Sequence, residues 1–391
     1  MNSRRSLVLR ISLFVLVLVL GIFSLVRLWG MVSSSRIGYN DFVGYWSATY
    51  LLKNGQNPYD VELMRSLQHT EIKTGSDSVV MAWNPPSLFV FLLPIAWMPF
   101  TTARFAFLVF NLFLVITGVL ILTRVYFSGD RRLPLACLLL FTLFFPPMLS
   151  GLGVGQVTFF VFFGLVASLF FIKRGAWFWA GFFLIFTSIK PHLVVLALIY
   201  LLFYMLLERK FSGLVGLLTA GLACCVILFV LRPEWISDFI GLLKIAPVQL
   251  VPPTIDGLLR YWQVTNAARY LIVLFLPLSF FLLYKRDVFS LDFSVALLTL
   301  ITIPITFYGW SFDQTMLLIP IAQIFQWMHK KVDFKINIAT ILLLILALIL
   351  NYNQKADGIY DVFYVWYPLF LWLLFGVNWY VVSHKENVPI N

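Results

Sequence analysis

Asp41 opens the tract Asp41-Phe-Val-Gly-Tyr-Trp-Ser-Ala-Thr-Tyr-Leu-Leu-Lys-Asn-Gly-Gln-Asn-Pro-Tyr-Asp60, in which Phe42, Tyr45, Trp46, Thr49 and Leu52 recur at helical spacing. Gly55 and Pro58 are expected to end that helix. A carboxylate in the first turn of such a helix can take a proton from a sugar or lipid hydroxyl during group transfer. It can also serve as an N-terminal charge that satisfies free amides and the helix dipole, worth about 0.3–1 kcal/mol. Cys137, Cys224 and Cys225 lie inside apolar runs without Cys-x-x-Cys or Cys/His ligand spacing, so they read as small hydrophobes. The tract Gly151-Leu-Gly-Val-Gly155 lacks the last glycine and the preceding strand of a dinucleotide fingerprint, and reads as a helix-end cap.

These residues are set in a chain of 391 residues that is 61% hydrophobic and 12% charged, with a mean hydropathy of +0.93. That composition leaves no material for a water-facing shell. It excludes a soluble enzyme, a nucleic-acid binder and a disulfide-stapled secreted module, and predicts an all-α polytopic membrane bundle. The run Leu7 to Trp29 follows Arg4 and Arg5 as a signal sequence would. It is too long for a signal h-region and has no small-x-small cleavage site, so it is expected to remain as the first span. Further runs near 101–123, 134–150, 157–172, 176–189, 192–207, 212–231, 267–284, 289–308, 314–328, 336–351 and 361–382 bring the expected total to about twelve crossings. Leu88 to Phe100, with Pro94 and Pro99, reads as a re-entrant or a kinked spanning helix, and charge bias favours re-entry.

With the N-terminus inside, the clusters Arg4/Arg5/Arg10, Arg124/Arg131/Arg132, Lys173/Arg174, Arg209/Lys210, Lys285/Arg286, Lys330/Lys331/Lys335 and Lys385 all fall on one face, which is then the cytoplasm. The net charge of +11 is therefore a topology signal and not a polyanion-binding one. Both termini are expected inside, in the cytoplasmic membrane. Two long polar loops, 30–86 and 232–266, lie outside, so water-exposed chemistry is expected there. No internal repeat or linker divides the chain, and residues 1–391 read as a single membrane-embedded domain. The aromatic helix after Asp41 suits the headgroup zone and is expected to lie along the surface as an interfacial helix.

Four segments resemble integral-membrane glycosyltransferases of the GT-C class, most closely the GT87 (DUF2029) family of polyprenyl-phosphate-mannose-dependent transferases. They are Asp41-Phe-Val-Gly-Tyr-Trp-Ser-Ala with Asn54-Gly-Gln-Asn-Pro-Tyr-Asp60; Trp83-Asn-Pro-Pro; Gly155-Gln156 with Gly181 and Ile189-Lys190-Pro191; and Pro304 with Trp310-Ser-Phe-Asp-Gln314. They keep the family's order over about four fifths of the chain. The resemblance implies that Asp41 is the catalytic base, and that Tyr45, Trp46 and Asp60 of the same loop serve sugar or acceptor binding. The late family motif often carries a histidine where this chain reads Trp-Ser-Phe-Asp-Gln.

The implied reaction moves a hexosyl unit, mannosyl by resemblance, from a polyprenyl-phosphate donor to a lipid or glycan acceptor at the extracytoplasmic face. The departing phosphate gains charge and calls for fixed cations. Lys190, at the outer end of an apolar helix, is the first candidate, with Arg260 and Arg269 able to give bidentate contacts. Each of the three can instead snorkel to lipid headgroups. Asn84, Gln156, His192 and Asp313 are candidates for sugar or acceptor hydroxyls, and each can also be an ordinary helix-end or interface group. One base and no second carboxylate in reach point to direct displacement with inversion. No metal or other cofactor is called for, since arginine or lysine can neutralise a monophosphate. The competing reading is a transporter or lipid flippase, which calls for repeat symmetry and midplane charges; a non-catalytic assembly subunit is a third.

Overall fold

The computed structural model describes residue 26 and residues 41–73, 79–245, 251–265, 267–329, 334–356 and 361–385. Apart from Val26, the expected first span, Leu7 to Trp29, lies outside the described residues. So do Arg4, Arg5, Arg10, Lys330, Lys331, the side chains of Lys335 and Lys385, and parts of both long loops.

All regular structure among the described residues is helical. The first loop folds as α1 (Asp41–Lys53), α2 (Val61–Leu67) with a π turn at Gln68–Ile72, and α3 (Ser87–Leu92) with a 3-10 turn at Leu93–Trp97. The bundle follows with α4 (Phe100–Tyr126), α5 (Arg132–Phe144), α6 (Pro146–Val154), α7 (Thr158–Lys173) and α8 (Trp177–Leu184). After 3-10 turns at Ile185–Ile189 and Pro191–Leu193 come α9 (Val195–Leu207), α10 (Phe211–Leu231), α11 (Trp235–Ile245) and α12 (Ile255–Tyr261). The chain ends with α13 (Leu271–Tyr284), α14 (Leu291–Ile305), α15 (Leu318–His329), α16 (Phe334–Ala356) and α17 (Trp366–Lys385), with 3-10 turns leading into α13, α15 and α17.

Among the described residues, five helical segments are long and apolar enough to cross a membrane: Phe100–Tyr126, Phe211–Leu231, Ala267–Tyr284, Ile336–Gln354 and Asp361–His384. Helices α5 and α6 reach that length and apolarity only when taken together, as a broken span or a re-entrant loop, and they bend by 57° where Pro146 starts α6 and holds Phe145 extended. Other expected runs are shorter than a span. The 16 residues of α7 reach about 24 Å, against a hydrocarbon thickness of about 30 Å. Ser87–Trp97, α8 with its 3-10 turn, α9 and α14 are likewise short apolar helices. Several of them stop at one place. The start of α7, the break between α8 and α9 and the end of α14 all meet the cavity described below.

Two close approaches set that arrangement. Helices α8 and α10 touch through backbone: a Cβ at Gly181 would fall 1.6 Å from the Gly213 carbonyl oxygen, and one at Gly216 1.9 Å from that of Phe178. Gly155 ends α6 at φ +74°, where a side chain is strained, and a Cβ there would fall 2.7 Å from the Cβ of Phe42. The chain reversal after α6 therefore sits directly against the first turn of α1.

Helix α1 ends at Lys53, as Gly55 and Pro58 demand, but it is not the half-exposed helix its aromatic stripe suggests. Every residue except Asp41, Tyr50 and Lys53 is buried. The 3-10 turn Leu93–Trp97 and helices α2, α3 and α4 pack on it, and residues 79–86 cross it at Gly44, where a Cβ would fall 2.9 Å from the Val80 carbonyl. Gln68 fixes this crossing, its amide donating to Val80 O at 2.9 Å and accepting from Val80 N at 3.0 Å. Periodicity reveals one face of a helix. It is silent about protein that later covers the other.

Since a methyl group at Gly181 or Gly216 must push two helices apart, Gly181→Ala and Gly216→Ala are each expected to destabilise by roughly 1–3 kcal/mol, the usual range for overpacking. Thermal unfolding in detergent measures this, and unchanged melting temperatures would contradict the close α8–α10 contact.

Candidate functional site

A cavity of about 450 Å³ opens where these broken helices meet. Its polar floor is built from Asp41, Tyr45, Asn84, Gln156, Lys190 and His192. Asp256, Arg260 and Arg269 line it from the second loop and the 3-10 turn before α13, while Trp83, Phe239, Leu243 and Phe307 make apolar wall. Eight of the residues singled out from sequence are thus brought together from six separate stretches of chain. Trp46, Asp60 and Asp313 do not line the cavity.

The floor is one connected network. Gln156 Nε2 donates to Asp41 Oδ2, while its Oε1 accepts from Lys190 Nζ at 2.9 Å and from the Tyr45 hydroxyl at 3.3 Å. Lys190 Nζ also donates to Asp313 Oδ1 at 2.7 Å and to Thr158 Oγ1 at 3.3 Å. The Thr158 hydroxyl donates in turn to Asp313 Oδ1, and Asp313 Oδ2 accepts from the Trp310 backbone N–H at 2.9 Å. Lys190 is 4% exposed and Asp313 1%. The sequence suggests an ammonium open to a phosphate at Lys190; in the structure its three protons are committed to protein acceptors. The reason lies in the fold. The turns around Lys190 bring it below the rim, where a buried charge needs a partner, and Asp313 supplies one.

Asp41 is the opposite case. Burial pushes its carboxyl above the ordinary aspartate range, and the positive charge of Lys190 with the Gln156 hydrogen bond opposes that rise only in part. The bond from Gln156 engages Oδ2, so Oδ1 is the oxygen not held by it.

The remaining expected residues take distinct places. Asn84 donates to Ile189 O at 3.3 Å, and its own carbonyl accepts from the Tyr59 hydroxyl at 2.9 Å, which ties the loop to the turn before Lys190. The His192 ring lies 5.7 Å from Phe307 and 5.6 Å from Tyr308 between centroids, and its Nε2 is buried without a hydrogen-bond partner among the described residues. Arg260 pairs with Asp256 at 2.8 Å. Asp60 caps α2 by accepting from the N–H groups of Glu62 and Leu63 at 2.9 and 3.0 Å, and Trp46 Nε1 donates to Met98 O at 3.2 Å. Both therefore support the fold of the loop and not the cavity wall.

Thr158, Asn111, Asp256 and Tyr308 are not singled out by the sequence. Asn111 offers a signal nonetheless: an amide in the middle of an apolar span needs a partner, and it donates to Gln156 O at 3.0 Å. Asp256 and Arg260 stand four apart, a spacing that would pair them on a helix. Nothing in their surroundings marks Thr158 or Tyr308.

Residues 83–308 match the model of glycosyltransferase family 87, more than half of the chain. No curated protein and no solved structure matches it. The matched stretch holds Asn84, Gln156, Lys190, His192, Arg260 and Arg269, while Asp41 precedes it and Asp313 follows it. With several apolar helices of spanning length and a polar cavity where shorter apolar helices break, the chain belongs to glycosyltransferase family 87, and is a membrane glycosyltransferase.

Proposed function

We propose that the chain transfers a hexosyl unit, mannosyl in the first instance, from a polyprenyl-phosphate donor to a hydroxyl of a lipid or glycan at the extracytoplasmic face of the cytoplasmic membrane. The observation that carries this reading is Asp41: a partly desolvated carboxylate lines a cavity that also presents two arginines. In the proposed step the acceptor oxygen attacks the anomeric carbon while Asp41 takes its proton. The bond from that carbon to the phosphate oxygen breaks, and the polyprenyl phosphate leaves as a monoester with one more negative charge. A single displacement inverts the anomeric centre. Arg260 and Arg269 meet the phosphate, and Asn84, Tyr45 and His192 meet sugar or acceptor hydroxyls. The apolar wall of Phe239, Leu243 and Phe307 suits the start of a lipid chain.

The finer topology belongs to the same proposal: about twelve crossings, both termini in the cytoplasm, and α1 close to the outer headgroup zone. Helix α7 supports the orientation. It starts beside the cavity at Thr158 and ends at Lys173, whose ammonium reaches Val125 O at 2.8 Å and Asp292 at 3.2 Å. That basic end lies a whole helix away from Asp41, as the bias of basic residues toward the cytoplasm requires.

Asp41→Asn is expected to fold and melt as the wild type while transfer from a labelled polyprenyl-phosphate mannose falls about 100-fold or more, the usual contribution of a general base. Undiminished transfer would refute the role of Asp41. A base acts only when ionised, and burial raises its pKa, so wild-type turnover should be full at high pH and decline as pH falls through a value above the ordinary aspartate range. Arg269→Gln is expected to raise the donor KM by about 10-fold or more, as loss of a charge-assisted hydrogen bond would; a KM equal to that of the wild type would remove Arg269 from the phosphate site.

A further inference from the structure

The amide of Gln156 has two orientations of nearly equal shape, and its neighbours select one. With Oε1 toward Lys190 and the Tyr45 hydroxyl, Nε2 must face the Asp41 carboxylate. The flipped amide would set N–H groups against an ammonium and a carbonyl oxygen against a carboxylate. Lys190 cannot turn away to relieve such a clash, because Asp313 and Thr158 hold it from behind. The Gln156 backbone is held as well, by Asn111.

We infer that Lys190 is a positioning residue that acts through Gln156 on Asp41, keeping the carboxylate aimed and ionised, and is not a ligand of the donor phosphate. This rests on the reading of Asp41 as the base and deepens it. Three observations converge. Each ammonium proton already has a protein acceptor, so a phosphate oxygen could be bound only by breaking one of those bonds. The carboxylate receives a hydrogen bond from the one group that Lys190 orients. A positive charge one amide away then favours the ionised form, against the burial that raises the pKa of this carboxyl.

The charged groups acting on Asp41 are Lys190 and Asp313, with the Tyr45 and Tyr308 phenols nearby. Among the elements packed on α1, α3 and the turn after it carry no titratable side chain. Helix α2 carries Glu62 and Arg65, paired with each other at 2.5 Å; the π turn carries His69 and Glu71, and α4 carries Arg104 and Arg124.

The test separates aiming from binding and from mere support. Dicyclohexylcarbodiimide modifies protonated carboxyls, so the pH profile of Asp41 labelling, read by mass spectrometry of its peptide, reports titration without turnover. Lys190→Met alone would leave Asp313 buried and unpaired, a strongly destabilising change. The double variant Lys190→Met/Asp313→Asn removes both charges and is the one to compare with Gln156→Leu. Each is expected to move the labelling midpoint, and the acid limb of kcat, upward by roughly half a pH unit: Gln156→Leu by loss of the hydrogen bond to the carboxylate, the double variant because the favourable charge of Lys190 outweighs the opposing one of Asp313 that goes with it. The KM for a labelled polyprenyl-phosphate mannose should stay at the wild-type value, and Lys190→Arg should hold the midpoint near it. A raised KM with an unmoved midpoint would make Lys190 a phosphate ligand and overturn the inference. An unmoved midpoint with loss of folded protein would overturn it too, leaving only a structural role. If the wild type transfers no sugar from this donor while the labelling midpoint still shifts, the proposed activity fails and the coupling stands.

Discussion

The ion pair between Lys190 and Asp313 is the constraint on which the site depends. Neither group could be placed at these depths alone, since an isolated ion in a low-dielectric interior costs several kcal/mol after relaxation. The pair is tolerated because its hydrogen-bonding capacity is used: three acceptors meet the ammonium, and the carboxylate receives Lys190, Thr158 and the Trp310 N–H. Three distant stretches of chain, at 156–158, 190 and 310–313, are thereby fixed to one another. Removing either partner would leave an uncompensated charge among broken helix ends. The pair is thus both the price of the site and its frame.

Helices that stop short of a full crossing create a need that this frame meets. Inside a membrane every backbone polar group must find a partner in the protein, so a helix can end below the surface only where other groups receive it. Here the ends of α6, α8 and α14 and the starts of α7 and α9 converge on side chains that can do so. Gly155 makes the convergence tight: its left-handed conformation turns the chain after α6 against Phe42, and the next residue, Gln156, reaches Asp41. A larger residue at 155 would meet Phe42 and shift Gln156 away from Asp41.

Much of this was legible in the residues, and what was not has a physical cause. Composition gave a helical membrane protein, and order of motifs gave Asp41, Gln156 and Lys190, which the fold gathers in one cavity. Spacing could not reveal that Lys190 faces Asp313 across 123 positions, because partnership in a bundle is decided by which helices break and where. A lone cation at a helix end reads as open to an anion until its partner is seen. For the same reason the stripe on α1 suggested one buried face, although protein covers nearly all of the helix. Trp46 and Asp60 sat close to Asp41 in sequence, yet helix geometry turns the first into packing and makes the second a cap.

The distribution of charge within the cavity bears on how the proposed transfer would run. Asp41 and Lys190 lie on the floor with the Asp313 carboxylate buried behind the ammonium, while Arg260, paired with Asp256, and Arg269 lie on the wall contributed by the second loop and its sequel. An anionic donor headgroup is then drawn toward the arginine side and repelled by the acidic floor, which sets its orientation before any chemistry. In the proposed transfer a proton would move to Asp41 as negative charge gathers on the departing phosphate. The floor loses a negative charge as the wall meets one more, so each end of the cavity becomes better matched to its occupant along the reaction. Lys190, buried and bonded to three protein acceptors, would stay unchanged throughout, as the proposed role of holding the base in place requires.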